Sequence, residues 1–171
     1  LFVRSLGAAF FQLSVPSGIL VALGLLLFSR HAFVLAVAGS ACGSLIHLLL
    51  GGSPEELQTG LIGFNFALTA VALGGMWAVP SAASFLLAML GAALSAVIAA
   101  SAGVLFKPLG LPLLAFPFVA TTTMVLFAMK QRDGLQEIQL VDVPAPSPEA
   151  NVKNAGRLET RNLGFRRPGF E

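Results

Sequence analysis

Charge is scarce in this sequence. Aspartate, glutamate, lysine and arginine supply 11% of its 171 residues, where a soluble domain carries about a quarter. Of the 18 charged side chains, 13 fall from Lys130 onward, which leaves Arg4, Arg30, Glu55, Glu56 and Lys107 for all of residues 1–129. Such spacing marks loops between membrane spans, and the mean hydropathy of +0.87 agrees. The net charge is +2 and the pI is near 9.2. With no interleaved basic and aromatic residues, they give no ground for nucleic-acid binding. Cysteine is nearly absent too. Cys42 stands alone, so neither a disulfide within the chain nor a thiolate metal cluster is possible, and it reads as a small core residue. The two histidines, His31 and His47, are separated by an apolar run and lack a carboxylate at metal-ligand spacing. Glu55 and Glu56 are adjacent, so on a helix they diverge and form no acid/base dyad. An enzyme and a bound cofactor are therefore not expected. The chain opens on Leu1 with no small-residue cleavage pattern after Arg4, which reads as a fragment without a signal peptide.

What is present is a series of apolar runs. Residues 5–12 are too few to cross a bilayer, which takes roughly 20 helical residues, and they read as a short re-entrant helix. Five spans follow, over about 16–29, 32–50, 60–77, 81–105 and 111–129. Residues 39–43, GSACG, form a small-xxx-small pattern, and Gly91, Ser95 and Ala99 recur every four residues. Both allow close helix contact. Ser53-Pro54 with Glu55 and Glu56 suits a helix start in an aqueous loop. The expected fold is thus an all-α integral membrane protein of five transmembrane helices plus one re-entrant helix. Residues 1–130 form the membrane domain. Residues 131–171, rich in proline and polar residues, read as a flexible cytoplasmic tail, in which Arg161, Arg166 and Arg167 are either solvated or near anionic headgroups. An odd number of crossings puts the two ends of the domain on opposite faces, as in one repeat of an inverted-repeat transporter. Arg30, Lys130 and Arg132 fall on one side, against Arg4 and Lys107 with Glu55 and Glu56 on the other, which places the tail on the cytoplasmic side of the cell (inner) membrane and makes the protein multi-pass.

The organising stretch is residues 60–77, GLIGFNFALTAVALGGMW. It is apolar enough for a bilayer, yet Gly60, Gly63, Gly74 and Gly75 imply that other groups approach it closely. Asn65 puts an amide in mid-span, which costs free energy unless it finds partners. Its plain reading is a structural hydrogen bond to carbonyls freed by Pro112 or Pro117. Phe11 and Phe64 are ordinary core aromatics on the same plain reading, and Thr121 to Thr123 bond back to their own helix.

Three segments together resemble the urea transporter family of membrane channels: FFQLSVPSG at 10–18, similar to that family's FFQNNPLSG; GLIGFNFALTAVALGG at 60–75; and LPLLAFPFVATT at 111–122, similar to its LPxxTxPFxxAT. Their order and spacing over about 130 residues look most like the second of the family's two homologous halves. The resemblance implies a pore in which phenylalanines, here Phe11 and Phe64, stack on flat urea while backbone carbonyls accept its N–H groups. Leu68 and Ala9 would belong to the apolar constriction, with Asn65, Pro117 and Thr121 structural in the motif. Two positions depart from the pattern. Ala8 stands where the family has Gln or Glu three residues before the phenylalanine, and Ala115 replaces the mid-pore threonine. Each removes a hydrogen-bond partner worth about 1 kcal/mol. The resemblance also implies a homotrimer in a lipid bilayer. The other half of the pore would be an absent N-terminal repeat or a second, antiparallel copy. The expected function is passive passage of urea; a smaller neutral solute such as ammonia or water, or a non-conducting assembly module, is the alternative.

Overall fold

The computed structural model describes residues 2–131 and 138–165, with side chains as far as residue 157. Eight α-helices are described: α1 (Phe2–Ala8), α2 (Val15–Phe28), α3 (Arg30–Leu49), α4 (Pro54–Gln58), α5 (Gly63–Val71), α6 (Ala82–Phe106), α7 (Phe116–Lys130) and α8 (Pro148–Phe165). Strands are absent among the described residues; one isolated antiparallel bridge joins Ala78 to Leu140. Serine begins four of the helices. Ser14, Ser29, Ser53 and Ser81 each accept from the backbone N–H three residues on, at 3.4, 3.0, 3.2 and 3.0 Å. Such caps satisfy donors that a helix start otherwise leaves open.

The centre of the bundle is α3 against α5 and α6, and small residues set the spacing. A Cβ added at Gly39 would lie 2.3 Å from that of Ala70, and one at Gly43 would lie 2.3 Å from the Phe66 ring. On α6, Ala88, Ala92, Ser95, Ala96 and Ala99 are buried, and Gly91 admits Leu73. The expected close-packing stripes on 39–43 and 91–99 are thus the contact faces. The four glycines of the organising stretch each have a neighbour: Gly60 meets the Arg4 backbone, Gly63 the Ser5 side chain, Gly74 Leu35 and Ala88, and Gly75 Pro148.

Three boundaries differ from expectation. The first helix is α1, over Phe2–Ala8 rather than 5–12, because the Gly7 carbonyl accepts from both Phe10 N and Gln12 N at 3.0 Å and turns the chain there. The third span is not uniform: α5 passes at Ala72–Met76 into a π-helical turn, closed by Trp77 N donating to Ala72 O at 2.9 Å. The fifth helix begins only at Phe116, after an irregular stretch over 111–115. Two helices, Arg30–Leu49 and Ala82–Leu109, are long and apolar enough to cross a membrane; Val15–Phe28, Gly63–Met76 and Phe116–Lys130 are apolar but shorter. Their outer faces remain apolar, with Leu20, Leu27, Leu90 and Val104 exposed.

The flexible tail expected from residue 131 is attached to the bundle over much of its described length. Val79 N donates to Gln139 O at 2.9 Å and Val141 N to Trp77 O at 3.0 Å. The Asn151 amide donates to Gly75 O and Met76 O, both at 2.8 Å, and accepts from Ala145 N at 3.0 Å. The π-turn leaves those two carbonyls open, and the tail fills them. Arg132, Arg166 and Arg167 lie outside the described residues, as does the side chain of Arg161.

Glu149 on α8 completes the attachment. One carboxylate oxygen accepts from Ser29 Oγ at 2.9 Å and from the His31 backbone N at 3.2 Å, and lies 3.0 Å from His31 Nδ1. This puts an acid at the N-terminus of α3, where the helix dipole favours it. Desolvation pushes the Glu149 carboxyl up, but hydrogen bonds from Ser29, its own backbone and His31 outweigh that and lower it from 4.5 to about 2. A depressed carboxyl contributes its full docking free energy above its free-chain value and loses it as pH falls toward the bound value. Hydrogen exchange in α8 should therefore rise as pH drops from about 4.5 toward about 2, after correction for intrinsic rates, and Glu149→Gln should flatten that response. At the other end of the bundle, a Cβ on Gly18 would lie 1.9 Å from Val3 O. Gly18→Ala should consequently separate α1 from α2 and cost about 1–3 kcal/mol of stability in detergent.

Candidate functional site

Pro117 has no N–H, so the first turn of α7 lacks a donor, and the chain before it does not continue as helix. Leu113 O finds a partner in Phe116 N at 3.0 Å. The next pair along, Phe118 N with Leu114 O, would close a regular helical turn. Instead the Asn65 side chain sits between them: Phe118 N donates to Asn65 Oδ1 at 3.1 Å, and Asn65 Nδ2 donates to Leu114 O at 3.0 Å and to Ile62 O at 3.3 Å. Asn65 itself is 0% exposed. One amide thus replaces a missing backbone hydrogen bond of α7 and ties that helix to the start of α5. The expected structural bond of Asn65 is present, but to the Leu114 carbonyl within the break. Thr69 Oγ1 donates to Asn65 O and Thr121 Oγ1 to Pro117 O, each at 2.7 Å, so both threonines serve their own helices.

Beside this junction lies a cavity of about 250 Å³. Ala8 and Phe11 line it from the end of α1, Glu56 and Thr59 from α4 and the turn after it, Ile62 and Phe64 from the start of α5, and Pro112 to Leu114 from the broken opening of α7. Phe64 is 8% exposed and Phe11 76%. Both non-glycine residues with positive φ among the described residues, Phe11 at 58° and Leu114 at 44°, are on its wall. Each left-handed backbone costs of order 1–3 kcal/mol and persists only where neighbours hold it. Asn65 holds Leu114; the Ala8 carbonyl holds Phe11, accepting from its N–H at 2.9 Å.

The structure therefore brings together Ala8, Phe11 and Phe64. Leu68 is half-buried one turn beyond Phe64 on α5, Ala9 is half-buried next to Ala8, and Ala115 caps α7 next to Leu114; none of the three lines this cavity. Phe11 and Phe64 are not among the ring pairs in contact, which are Phe2 with Phe33, Phe106 with Phe116, and His47 with Phe66. Sequence reasoning missed Glu56, Thr59 and Leu114. Nothing in the sequence marks Leu114 as left-handed, because leucine has no preference for that region; the prolines at 112 and 117 are the nearest sign. For Glu56 the signal was the Ser53-Pro54 helix start, which yields a helix of only five residues and so turns back onto α1 and α5.

The urea transporter family profile matches residues 1–130. The chain belongs to the urea transporter family. Curated relatives include Urea transporter 1 from sheep (Ovis aries) and from goat (Capra hircus), each 30% identical over 125 residues, which is 72% of this chain and 33% of the relative. The chain thus spans about a third of the length of the curated relatives it matches. The urea transporter family is one of membrane proteins named for transport rather than for a catalytic reaction.

Asn65→Leu leaves Phe118 N–H and Leu114 C=O unpaired in an apolar interior. At about 1–3 kcal/mol for each buried orphan, the substitution should lower stability by about 2–6 kcal/mol, measured by denaturant titration in detergent. Asn65→Asp keeps the acceptor for Phe118 N–H and should cost less if the carboxyl is protonated.

Proposed function

We propose that this chain forms one half of a passive channel for urea. The reading rests on one observation above others: a buried phenylalanine and an exposed one face the same small cavity, beside a helix opening whose backbone is irregular. Urea is neutral, planar and rich in N–H donors. Apolar aromatic faces accommodate its plane and exclude ions, while carbonyl oxygens at a broken helix replace its hydration. Irregular backbone at membrane depth is tolerated where it is packed in protein or lines a polar path, and in this reading residues 111–115 line such a path.

In this reading α2, α3, α5 with its π-turn, α6 and α7 cross the bilayer and α1 is re-entrant. The three shorter helices end within the membrane's depth. Five crossings call for an inverted partner half, either an N-terminal repeat or a second copy of opposite orientation, to close the slot. Leu68, Ala9 and Ala115 would lie farther along that slot, toward the missing half. The apolar exterior serves lipid and the neighbouring subunits of a trimer, in an inner membrane with the tail toward the cytoplasm.

The test is stopped-flow urea flux in vesicles carrying the chain with its partner half. Fast flux is expected, and Phe64→Ala should reduce it about fivefold, since one aromatic stack is worth roughly 1 kcal/mol. Flux of ammonia or water without urea would assign a smaller solute, and no flux of any of these from inserted protein would favour an assembly role.

A further inference from the structure

A second cavity, of about 490 Å³, adjoins the first, and the two share Glu56, Ile62 and Leu113 on their walls. His47 lines the larger one. Its side chain is 3% exposed and neither ring nitrogen has a hydrogen-bond partner. The backbone of the following turn approaches the ring closely. A Cβ on Gly52 would lie 2.2 Å from Nε2, and the Phe66 ring stands 6.3 Å away, centroid to centroid. His47 Nε2 lies 3.4 Å from Glu56 Oε2, near enough for attraction but not aligned as a hydrogen bond. Of the two partners Glu56 is the more exposed, with 43% of its side chain open to solvent. Lys107 lines the same larger cavity from α6's end, and Arg4 is directed to the Gln58 carbonyl at 3.4 Å.

Among the described residues Glu56 is the only charged side chain in the smaller cavity. The other polar side chain there, Thr59, is already engaged: its hydroxyl donates to Glu56 O at 2.7 Å and accepts from Leu61 N at 3.3 Å. Leu114 O accepts from Asn65, and Leu113 O from Phe116 N. Among the side chains on this wall, open acceptor capacity therefore resides in the Glu56 carboxylate, beside the remaining lone pairs of the backbone carbonyls. Its backbone is fixed by the Ser53 cap on Glu56 N at 3.2 Å, so only the side chain swings.

We propose that Glu56 is the hydrogen-bond acceptor that an N–H-rich neutral solute meets in the cavity of Phe11 and Phe64, and that His47 is the residue that positions its carboxylate. This rests on the reading of that cavity as part of a solute path. An ionised carboxylate offers about four lone-pair sites and accepts two parallel N–H groups at once, a pattern that a planar diamide supplies. His47, buried and short of a hydrogen-bond partner, attracts the carboxylate at 3.4 Å and so limits how far it turns away from the cavity wall.

The experiment measures urea flux against urea concentration in vesicles carrying the complete channel. Glu56→Leu should raise the half-saturating concentration about tenfold, the loss of one charge-assisted hydrogen bond, with a much smaller change in maximal flux. Glu56→Gln keeps an acceptor of the same length and should recover to within about threefold, which a packing role alone would not require. His47→Phe should raise half-saturation in the wild-type background but have no further effect in Glu56→Leu, because the two act as a unit. An unchanged half-saturating concentration in Glu56→Leu, with wild-type urea flux intact, overturns the inference and leaves the urea reading standing. Should wild type carry ammonia but no urea, the urea reading fails, and the same Glu56 series read on ammonia flux decides the inference: loss with rescue by Gln supports it, no loss overturns it. Wild type that carries neither solute overturns both.

Discussion

A single side-chain amide in place of one backbone hydrogen bond holds this structure's most unusual geometry. Pro117 forces a late start on α7, Leu114 takes a left-handed backbone ahead of it, and Asn65 spans the gap by accepting from Phe118 N and donating to Leu114 O. In a medium without water an open backbone pair is costly, so the break is tolerable only with such a bridge. Because Asn65 sits on α5 one residue after Phe64, the same bridge fixes Phe64 relative to Pro112 and Leu114. The wall of the cavity is thereby set by a hydrogen bond lying just behind it.

The surrounding helices supply rigidity by close approach. Gly39 and Gly43 of α3 and Gly91 of α6 let α5 lie with almost no side-chain spacing, and the buried alanines of α6 continue that contact along its length. Packing without a hydrophobic driving force in lipid depends on such van der Waals contact. It also accounts for the small number of large buried side chains, with Phe66, Leu57 and Leu73 the bulkiest of the fully buried ones.

Much of this was legible in the sequence, and for identifiable reasons. Glycines at 60, 63, 74 and 75 predicted close neighbours and have them; an amide in an apolar run predicted a backbone partner near the prolines and has one. Periodic small residues on α3 and α6 marked the contact faces. Legibility ended where structure depends on distant pairs. Residues 138–157 are polar and rich in proline, which read as flexible, yet their attachment depends on carbonyls of a π-turn that composition does not signal. The extent of α1 was shifted by a turn at Gly7, and Glu56 was weighed only against its neighbour Glu55, not against the cavity that α4 brings it to. Ala8 and Ala115 looked like simple losses of polar groups; with Glu56 on the same wall as Ala8, polarity in this cavity comes from another element.

The tail's amide at Asn151 has a consequence for how the protein is made. The carbonyls of Gly75 and Met76 are finished by a residue that leaves the ribosome 75 residues later. Until then the C-terminal end of this helix stays open, and its lasting arrangement waits on chain beyond residue 130. Completion of this helix is therefore not strictly vectorial: an end made early is closed by a residue made much later, from outside the apolar domain.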